Sequence, residues 1–244
     1  MNPKAGKFDK AAELPVWEGD DAPPTEHHWK ELLWNAGRLL GTFRKRGPRG
    51  PDDGQPVLVI PGFLCSDQTT FSLRKRLAKH GYRVHGWKQG WNFGARADTL
   101  EKLRERIESL GHQRKLVIVG WSLGGLYARE YARYNPDQVR AVITLGSPFS
   151  GDPRQNTIWP LYERIAGHSV LDPPIPRVTE KPPVPHLALW SRRDGLIAPR
   201  AARGLDHERD EEVELDCHHM AFAISPHATK EVVREIDRFL KRHN

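Results

Sequence analysis

Cysteine is scarce in this chain. The 244 residues include two, Cys65 and Cys217, which is too few for a disulfide framework. Neither cysteine stands in the C-x-x-C or Cys/His spacing of a zinc site. The sequence therefore predicts two free thiols, and it implies no metal ion and no organic cofactor.

Long apolar runs and nucleic-acid motifs are also missing. No run reaches the ~18 apolar residues of a membrane span, and residues 1–10 lack the apolar core of a signal peptide, so the cytoplasm is the expected compartment. Residues 1–54 hold nine basic and nine acidic side chains, so the net charge of +7 lies wholly within residues 55–244. No basic stretch is interleaved with aromatic side chains, and we expect no nucleic-acid partner.

What the chain does contain, from residue 55 onward, is an alternation of apolar strands and amphipathic helices. Such alternation predicts an α/β fold, in which a mostly parallel central sheet carries helices on both faces. The predicted strands are 57–60, 82–87, 115–119, 139–145, 186–190 and 212–215, and the predicted helices are 72–80, 98–110, 227–242 and one from the serine turn described below to about residue 135.

Residues 1–54 form a predicted unit ahead of the α/β domain of residues 55–244. Residues 1–28 are rich in proline, glycine and charge, which indicates an arm with little regular structure. From Trp29 to Phe43, apolar residues recur at helical spacing and predict an N-terminal helical extension. Because the polar face of this helix is not strongly basic, docking on the body of the protein or on a second subunit is favoured over membrane-surface contact through residues 29–46.

A second irregular segment, residues 149–185, contains eight prolines. It includes one short predicted helix, 159–166, and it follows the carboxyl end of a predicted strand. An insertion at that position lies over the face where α/β sheets bind ligands. The segment is therefore predicted to be a cap or lid, and a disordered surface loop is the alternative.

A nucleophile elbow is predicted at Gly120-x-Ser122-x-Gly124. An apolar run leads into it, and apolar residues follow it at helical spacing, as expected for a strand, a turn and a helix. In such an elbow the serine hydroxyl projects from a strained turn. Small residues two places before and after the serine let the helix and the neighbouring strand approach closely. Ser122 is thus the candidate nucleophile.

A serine nucleophile needs a base, and the base needs an acid to orient it. On a fold of this kind the chain order is serine, then Asp or Glu, then histidine. Asp194 stands directly beyond the predicted strand 186–190 and is favoured over Asp152 as the acid. The base is expected directly beyond the last predicted strand, where position alone does not choose between His218 and His219.

The third requirement is an oxyanion hole, a pair of hydrogen-bond donors for the negative charge that develops on the carbonyl oxygen. One donor is expected from the backbone N–H that follows the nucleophile, at Leu123. The other is expected from the loop after an early strand, where Gly62 allows a turn and Phe63 is the predicted donor.

Five stretches together resemble the α/β-hydrolase superfamily, and in particular its bacterial lipase/esterase-like members. They are residues 57–64, 120–125, 143–148, 191–195 and 217–226. Relatives commonly have Gly-Ser-His with a proline seven places after the histidine, and Pro226 lies seven places after His219. The resemblance therefore implies that Ser122, Asp194 and His219 are the nucleophile, the acid and the base.

The match departs from the family pattern at one point. Cys217-His218 stands where relatives tend to have Gly-Ser, so His218 stays open as the alternative base. The resemblance spans about residues 55–244 and does not specify a substrate, because this fold hosts many chemistries.

The expected activity is the hydrolysis of carboxylic esters through an acyl-enzyme. We expect a small-molecule ester with an apolar acyl group, because an apolar pocket is predicted from Phe63, Trp121, Ile158, Trp159 and Leu161. Acyl transfer, or cleavage of amides or thioesters by the same triad, is the alternative. A binding protein that has kept the fold without turnover is disfavoured, since no triad member is missing. The oligomeric state is left open.

Overall fold

The computed structural model describes residues 19–24 and 47–243. The predicted helix at 29–43, and most of the predicted N-terminal unit, lie outside the described residues. Within the described part, six strands form one sheet in the order β2-β1-β3-β4-β5-β6, with all neighbours parallel. The strands are β1 (Pro56–Ile60), β2 (Arg83–Gly86), β3 (Leu116–Trp121), β4 (Val139–Leu145), β5 (His186–Trp190) and β6 (Glu211–Glu214).

Helices cover both faces of the sheet because side chains alternate along each strand. Val57 and Val59 of β1 join one apolar cluster, and Leu58 and Ile60 join the other. Helices α1 and α7 pack on the first face, and α2 and α3 on the second. The helices are α1 (Phe71–Lys79), α2 (Thr99–Glu108), α3 (Leu123–Tyr134), α4 (Trp159–Ala166), α5 (Pro199–Arg203), α6 (Ala221–Ile224) and α7 (Pro226–Arg242).

The predicted fold class, a parallel sheet between helices, is confirmed. Predicted element boundaries agree with the structure to within one or two residues, and those of β4, β5 and α4 agree fully. Two short helices, α5 and α6, were not predicted. Each has only four or five residues, too few for helical periodicity to stand out in the sequence.

Residues 149–185, called the cap segment below, are held in part by hydrogen bonds from two arginines, Arg177 and Arg129. Arg177 donates hydrogen bonds to the carbonyls of Pro148, Ser150 and Gly151 at 3.1, 2.5 and 2.9 Å. Arg129 of α3, which is 1% exposed, donates to the carbonyls of residues 179 and 180 at 2.6 and 2.9 Å. Arg177 therefore ties the later part of the cap segment to its beginning, next to β4, and Arg129 ties residues 179 and 180 to α3.

Three further observations bear on the sequence predictions. Neither cysteine forms a disulfide, as predicted, and both are buried. No helix within residues 19–24 and 47–243 is long and apolar enough to cross a membrane. Over the same residues, no three His, Cys, Asp or Glu side chains cluster closely enough to hold a metal ion.

Candidate active site

Ser122 occupies a strained turn between β3 and α3. Its backbone has φ 54° and ψ −123°, a combination that L-residues rarely adopt and that persists only where the surroundings hold it. The holding contacts include a hydrogen bond from its N–H to the Leu145 carbonyl of β4, at 2.8 Å. A methyl group on Gly124 would overlap the carbonyl oxygens of Ile60 and Pro61. The glycine therefore lets α3 begin against the end of β1.

Asp194 lies in the turn after β5 and is 1% exposed. One carboxylate oxygen, Oδ1, accepts hydrogen bonds from the N–H groups of Leu196 and Ile197, both at 2.9 Å. The other, Oδ2, lies 2.7 Å from Nδ1 of His219. Since a carboxylate only accepts, the proton of the neutral imidazole is on Nδ1, and its Nε2 is left as an acceptor.

The two candidate bases, which their positions in the sequence could not distinguish, have different contacts in the structure. His219, 3% exposed, contacts Asp194, whereas Nδ1 of the neighbouring His218 lies 3.1 Å from the Arg193 carbonyl. The alternative acid, Asp152, pairs with Arg154 at 2.6 Å.

Asp194 and His219 meet at the carboxyl edge of the sheet, beside the residue that follows β4. The residue after Leu145, Gly146, marks this point: a methyl group there would lie 2.8 Å from Oδ2 of Asp194 and 3.1 Å from Nδ1 of His219. The indole N–H of Trp121, the residue before the serine, donates to the His219 carbonyl at 3.2 Å. The predicted acid and base are therefore in contact, and the residue before Ser122 is hydrogen-bonded to the His219 backbone.

The two predicted oxyanion donors lie beside the serine. A methyl group on Gly62 would be 3.0 Å from Cβ of Ser122, so the loop after β1 passes directly over it. Phe63, Ser122 and Leu123 line the same cavity. Among described residues, neither the Phe63 nor the Leu123 backbone N–H has an acceptor. Both amides are thus free to donate to a bound group.

This cavity has a volume of about 850 Å³, including its opening to solvent. One face of α3 forms a wall, and its cavity-lining residues run from Leu123 through Leu126 to Glu130. The cap segment supplies apolar side chains opposite, including Ile158, Trp159, Tyr162, Val170 and Ile175.

The predicted pocket lining needs two corrections. Trp121 is 1% exposed and lies in the core cluster on one side of the sheet, because its position in β3 directs it away from the cavity. Leu161 is 41% exposed on the outer side of α4. Phe63, Ile158 and Trp159 do line the cavity.

Charged groups gather at the cavity end away from the serine. Burial lowers the pKa of Arg129 to about 10, and the guanidinium stays protonated at neutral pH. It lies 2.8 Å from Nδ1 of His186, which must accept because a guanidinium only donates. Burial, reinforced by this cation, holds the pKa of His186 well below its usual value. Burial also raises the pKa of the Glu130 carboxyl.

Sequence reasoning missed two residues that support the site. Tyr162 of α4 accepts a hydrogen bond from the Ala95 N–H at 3.0 Å and contacts the Phe63 ring, with centroids 5.1 Å apart. Asn92 is 2% exposed and bonds to the loop after β1. The one available signal for Asn92 was its place between Gly90 and Gly94, in a loop at the carboxyl end of a predicted strand.

Neither cysteine offers a competing nucleophile at the surface. Burial raises the pKa of the Cys65 thiol to about 12, although a hydrogen bond with Thr69 opposes the shift. The reactive form of cysteine is the thiolate, so Cys65 stays unreactive at neutral pH. Cys217 is also buried.

The chain is similar to several known proteins. A family model described as "alpha/beta hydrolase fold" matches residues 55–173. The pimeloyl-[acyl-carrier protein] methyl ester esterase of Proteus mirabilis is 32% identical over 96 residues, which cover 37% of this chain and 36% of that protein. The namesake protein of Shewanella woodyi is 28% identical over 109 residues, covering 44% and 41%. The match thus spans well under half the length of these relatives.

Solved structures are similar over more of the chain. A monoacylglycerol lipase from Paleococcus ferrophilus has a TM-score of 0.58 and 20% identity, over 78% of this chain and 97% of that chain. A carboxylesterase from Bacillus subtilis has a TM-score of 0.55 and 15% identity, over 88% and 98%. At this level of identity the likeness shows the shared fold.

Proposed function

Because the chain belongs to the α/β-hydrolase superfamily, we propose that it is a serine hydrolase that cleaves carboxylic esters, with Ser122 as nucleophile, His219 as base and Asp194 as the orienting acid. The observation that carries the proposal is the 2.7 Å contact between His219 Nδ1 and Asp194 Oδ2, at the edge of the sheet where the strained Ser122 also lies. The similar proteins named as esterases, a carboxylesterase and a lipase favour an ester over another acyl substrate.

In the proposed first step, the Ser122 hydroxyl attacks the ester carbonyl while His219 Nε2 takes the hydroxyl proton. The negative charge that forms on the carbonyl oxygen is stabilised by the backbone N–H groups of Phe63 and Leu123. His219 then gives its proton to the alcohol oxygen as the carbon–oxygen bond breaks. An acyl-enzyme remains, joined through the Ser122 oxygen.

In the second step a water molecule attacks the acyl-enzyme. His219 takes a proton from that water and returns it to the Ser122 oxygen as the carboxylic acid leaves. Asp194 remains a carboxylate throughout. It keeps the imidazole in the tautomer that accepts at Nε2 and stabilises the imidazolium that forms in both steps.

The cavity supports a substrate with an apolar acyl group. The side chains of Phe63, Leu126 and Ile175 are among those that line it, and burying each methylene group of an acyl chain contributes about 0.8 kcal/mol to binding. The cap segment lies across this cavity, and we assign it the role of a lid that excludes water from the acyl chain.

Steady-state kinetics with p-nitrophenyl esters of short and medium acyl length test this proposal. Ser122→Ala and His219→Ala are expected to lower kcat by about 10⁴-fold or more, while His218→Ala keeps most of the activity. Full activity of Ser122→Ala would exclude the mechanism. An inactive His218→Ala beside an active His219→Ala would show that the base is the other histidine.

A further inference from the structure

The loop after β1 is hydrogen-bonded to Asn92, a residue of a second loop. Asn92 lies between β2 and α2, and its side-chain Nδ2 donates to the Pro61 carbonyl at 2.9 Å. Its backbone N–H donates to the Cys65 carbonyl at 2.8 Å, and its own carbonyl accepts from the Leu64 N–H at 2.7 Å. These three bonds bracket the Phe63 amide, one before it in the chain and two after it.

The donors and acceptors around the Asn92 side chain determine which way its amide group is oriented. Its Oδ1 accepts from the N–H of Gly94 and from the hydroxyl of Tyr127, both at 3.2 Å. The Pro61 carbonyl can only accept and the Gly94 N–H can only donate, so the amide has a single arrangement that satisfies every partner. A carboxylate at this position would set an oxygen against the Pro61 oxygen.

The Tyr127 bond also ties Asn92 to α3. The first residue of that helix, Leu123, carries the second free amide beside Ser122. Asn92 therefore contacts both structural units that hold a proposed oxyanion donor: the loop after β1 directly, and α3 through the tyrosine hydroxyl.

Leu64 shows that this loop needs to be held. Its φ is 53°, which is unfavourable for a residue with a Cβ and persists only where neighbouring contacts impose it. The bond from its N–H to the main-chain carbonyl of Asn92 is one such contact, and the side-chain bonds of Asn92 to Pro61 and Tyr127 hold that carbonyl in place. If the hydrogen bonds of Asn92 are weakened, the Leu64 backbone can relax from its positive φ, and the adjacent Phe63 amide moves with it.

We propose that Asn92 is a positioning residue of the oxyanion hole, which holds the Phe63 amide where the charge of the transition state develops. The proposal rests on the proposed function, because it requires Ser122 to be the nucleophile. An oxyanion donor acts mainly in the transition state. Displacing the amide should therefore lower kcat more than it raises KM.

The test is the isosteric substitution Asn92→Asp in the full chain. The expected result is a kcat lower by roughly 10- to 100-fold, a fraction of the loss when a donor is removed outright, with KM changed less than about twofold. Affinity for an alkyl boronic acid should fall in parallel, since its serine adduct places a tetrahedral oxygen in the oxyanion hole. A kcat within about twofold of the parent value, or a raised KM with kcat intact, would overturn the proposal.

A matched control is available at the opposite end of α3. Asn135 also donates from Nδ2 to a backbone carbonyl, that of Tyr131, at 3.2 Å. Asn135→Asp removes the same kind of bond far from the site and should leave kcat and boronic acid affinity unchanged. An equal loss of kcat in both variants would mean that the effect is general destabilisation, and the proposal would fail.

If Asn92→Asp does not fold, Tyr127→Phe takes its place, because it removes only the hydroxyl that bonds to Oδ1. A several-fold drop in kcat and in boronic acid affinity is expected, and unchanged values would overturn the proposal. Ser122→Ala separates the two hypotheses. If Ser122→Ala is active, the proposed function itself fails; if it is inactive while Asn92→Asp is fully active, only the positioning role fails.

Discussion

The carboxyl edge of the sheet and the cap segment face the same cavity but are held in different ways. At the edge, apolar strands packed on both faces fix the turns that carry Ser122, Asp194 and His219. The cap segment consists mostly of irregular backbone, and arginine side chains hold it by bonding to main-chain carbonyls: Arg177 to those of residues 148, 150 and 151, and Arg129 to those of residues 179 and 180. Because of this difference, a substitution at the edge should lower kcat, whereas one that loosens the cap segment should raise KM.

The largest effect is expected at the edge, from Asp194→Asn. An amide at this position can present its N–H₂ to His219, which favours the tautomer without a free acceptor at Nε2. We expect kcat to fall by about 10³- to 10⁴-fold with the fold intact, measured by steady-state kinetics with a p-nitrophenyl ester. Asp152→Asn is the control, since Asp152 pairs with Arg154, and it should stay active. Equal kcat in the two variants would contradict the assignment of the acid.

A smaller effect, and of a different kind, is expected in the cap segment from Arg177→Met. The substitution removes three hydrogen bonds to carbonyls while keeping much of the apolar stem. KM for a medium-chain ester should rise by about tenfold, with kcat changed less, because binding and not chemistry is affected.

Arg164, exposed on α4, provides the matched control. Arg164→Met should leave KM and kcat near their parent values. A large fall in kcat for Arg177→Met without a change in KM would contradict the expectation that the cap segment affects substrate binding and the edge affects the chemical step.

The smallest effect concerns stability and pH at the junction of the two regions. The folded-state pKa of His186 lies well below its usual value, so below about pH 6.5 the unfolded chain binds a proton that the folded protein does not. Stability should therefore fall as the pH drops below about 6.5, by at most about 1.4 kcal/mol per pH unit for this histidine.

Urea unfolding between neutral pH and pH 5 measures this slope. His186→Gln should have a shallower slope than the parent protein, since it lacks the titrating group. His207→Gln, at an exposed position, should match the parent. An unchanged slope in His186→Gln would contradict a neutral, buried His186.

The sequence was most informative where local patterns decide structure. Strand β4 and the Ser122 elbow follow from apolar runs and small residues, and both could be placed closely. Asn92 and Arg177 could not be predicted, because each acts by bonding to backbone groups that are distant in sequence and carry no residue-specific signal. The outward position of Leu161 was likewise undetermined, since the sequence does not say which face of α4 meets the cavity.

The central claim, that Ser122 is an activated nucleophile, is tested most directly by covalent labelling. The protein is treated with a fluorophosphonate, and the modified peptide is identified by mass spectrometry. The account predicts a single adduct on Ser122, which is abolished in Ser122→Ala and forms far more slowly in His219→Ala. Labelling of Ser122→Ala at the parent rate, or an adduct on another residue, would contradict it.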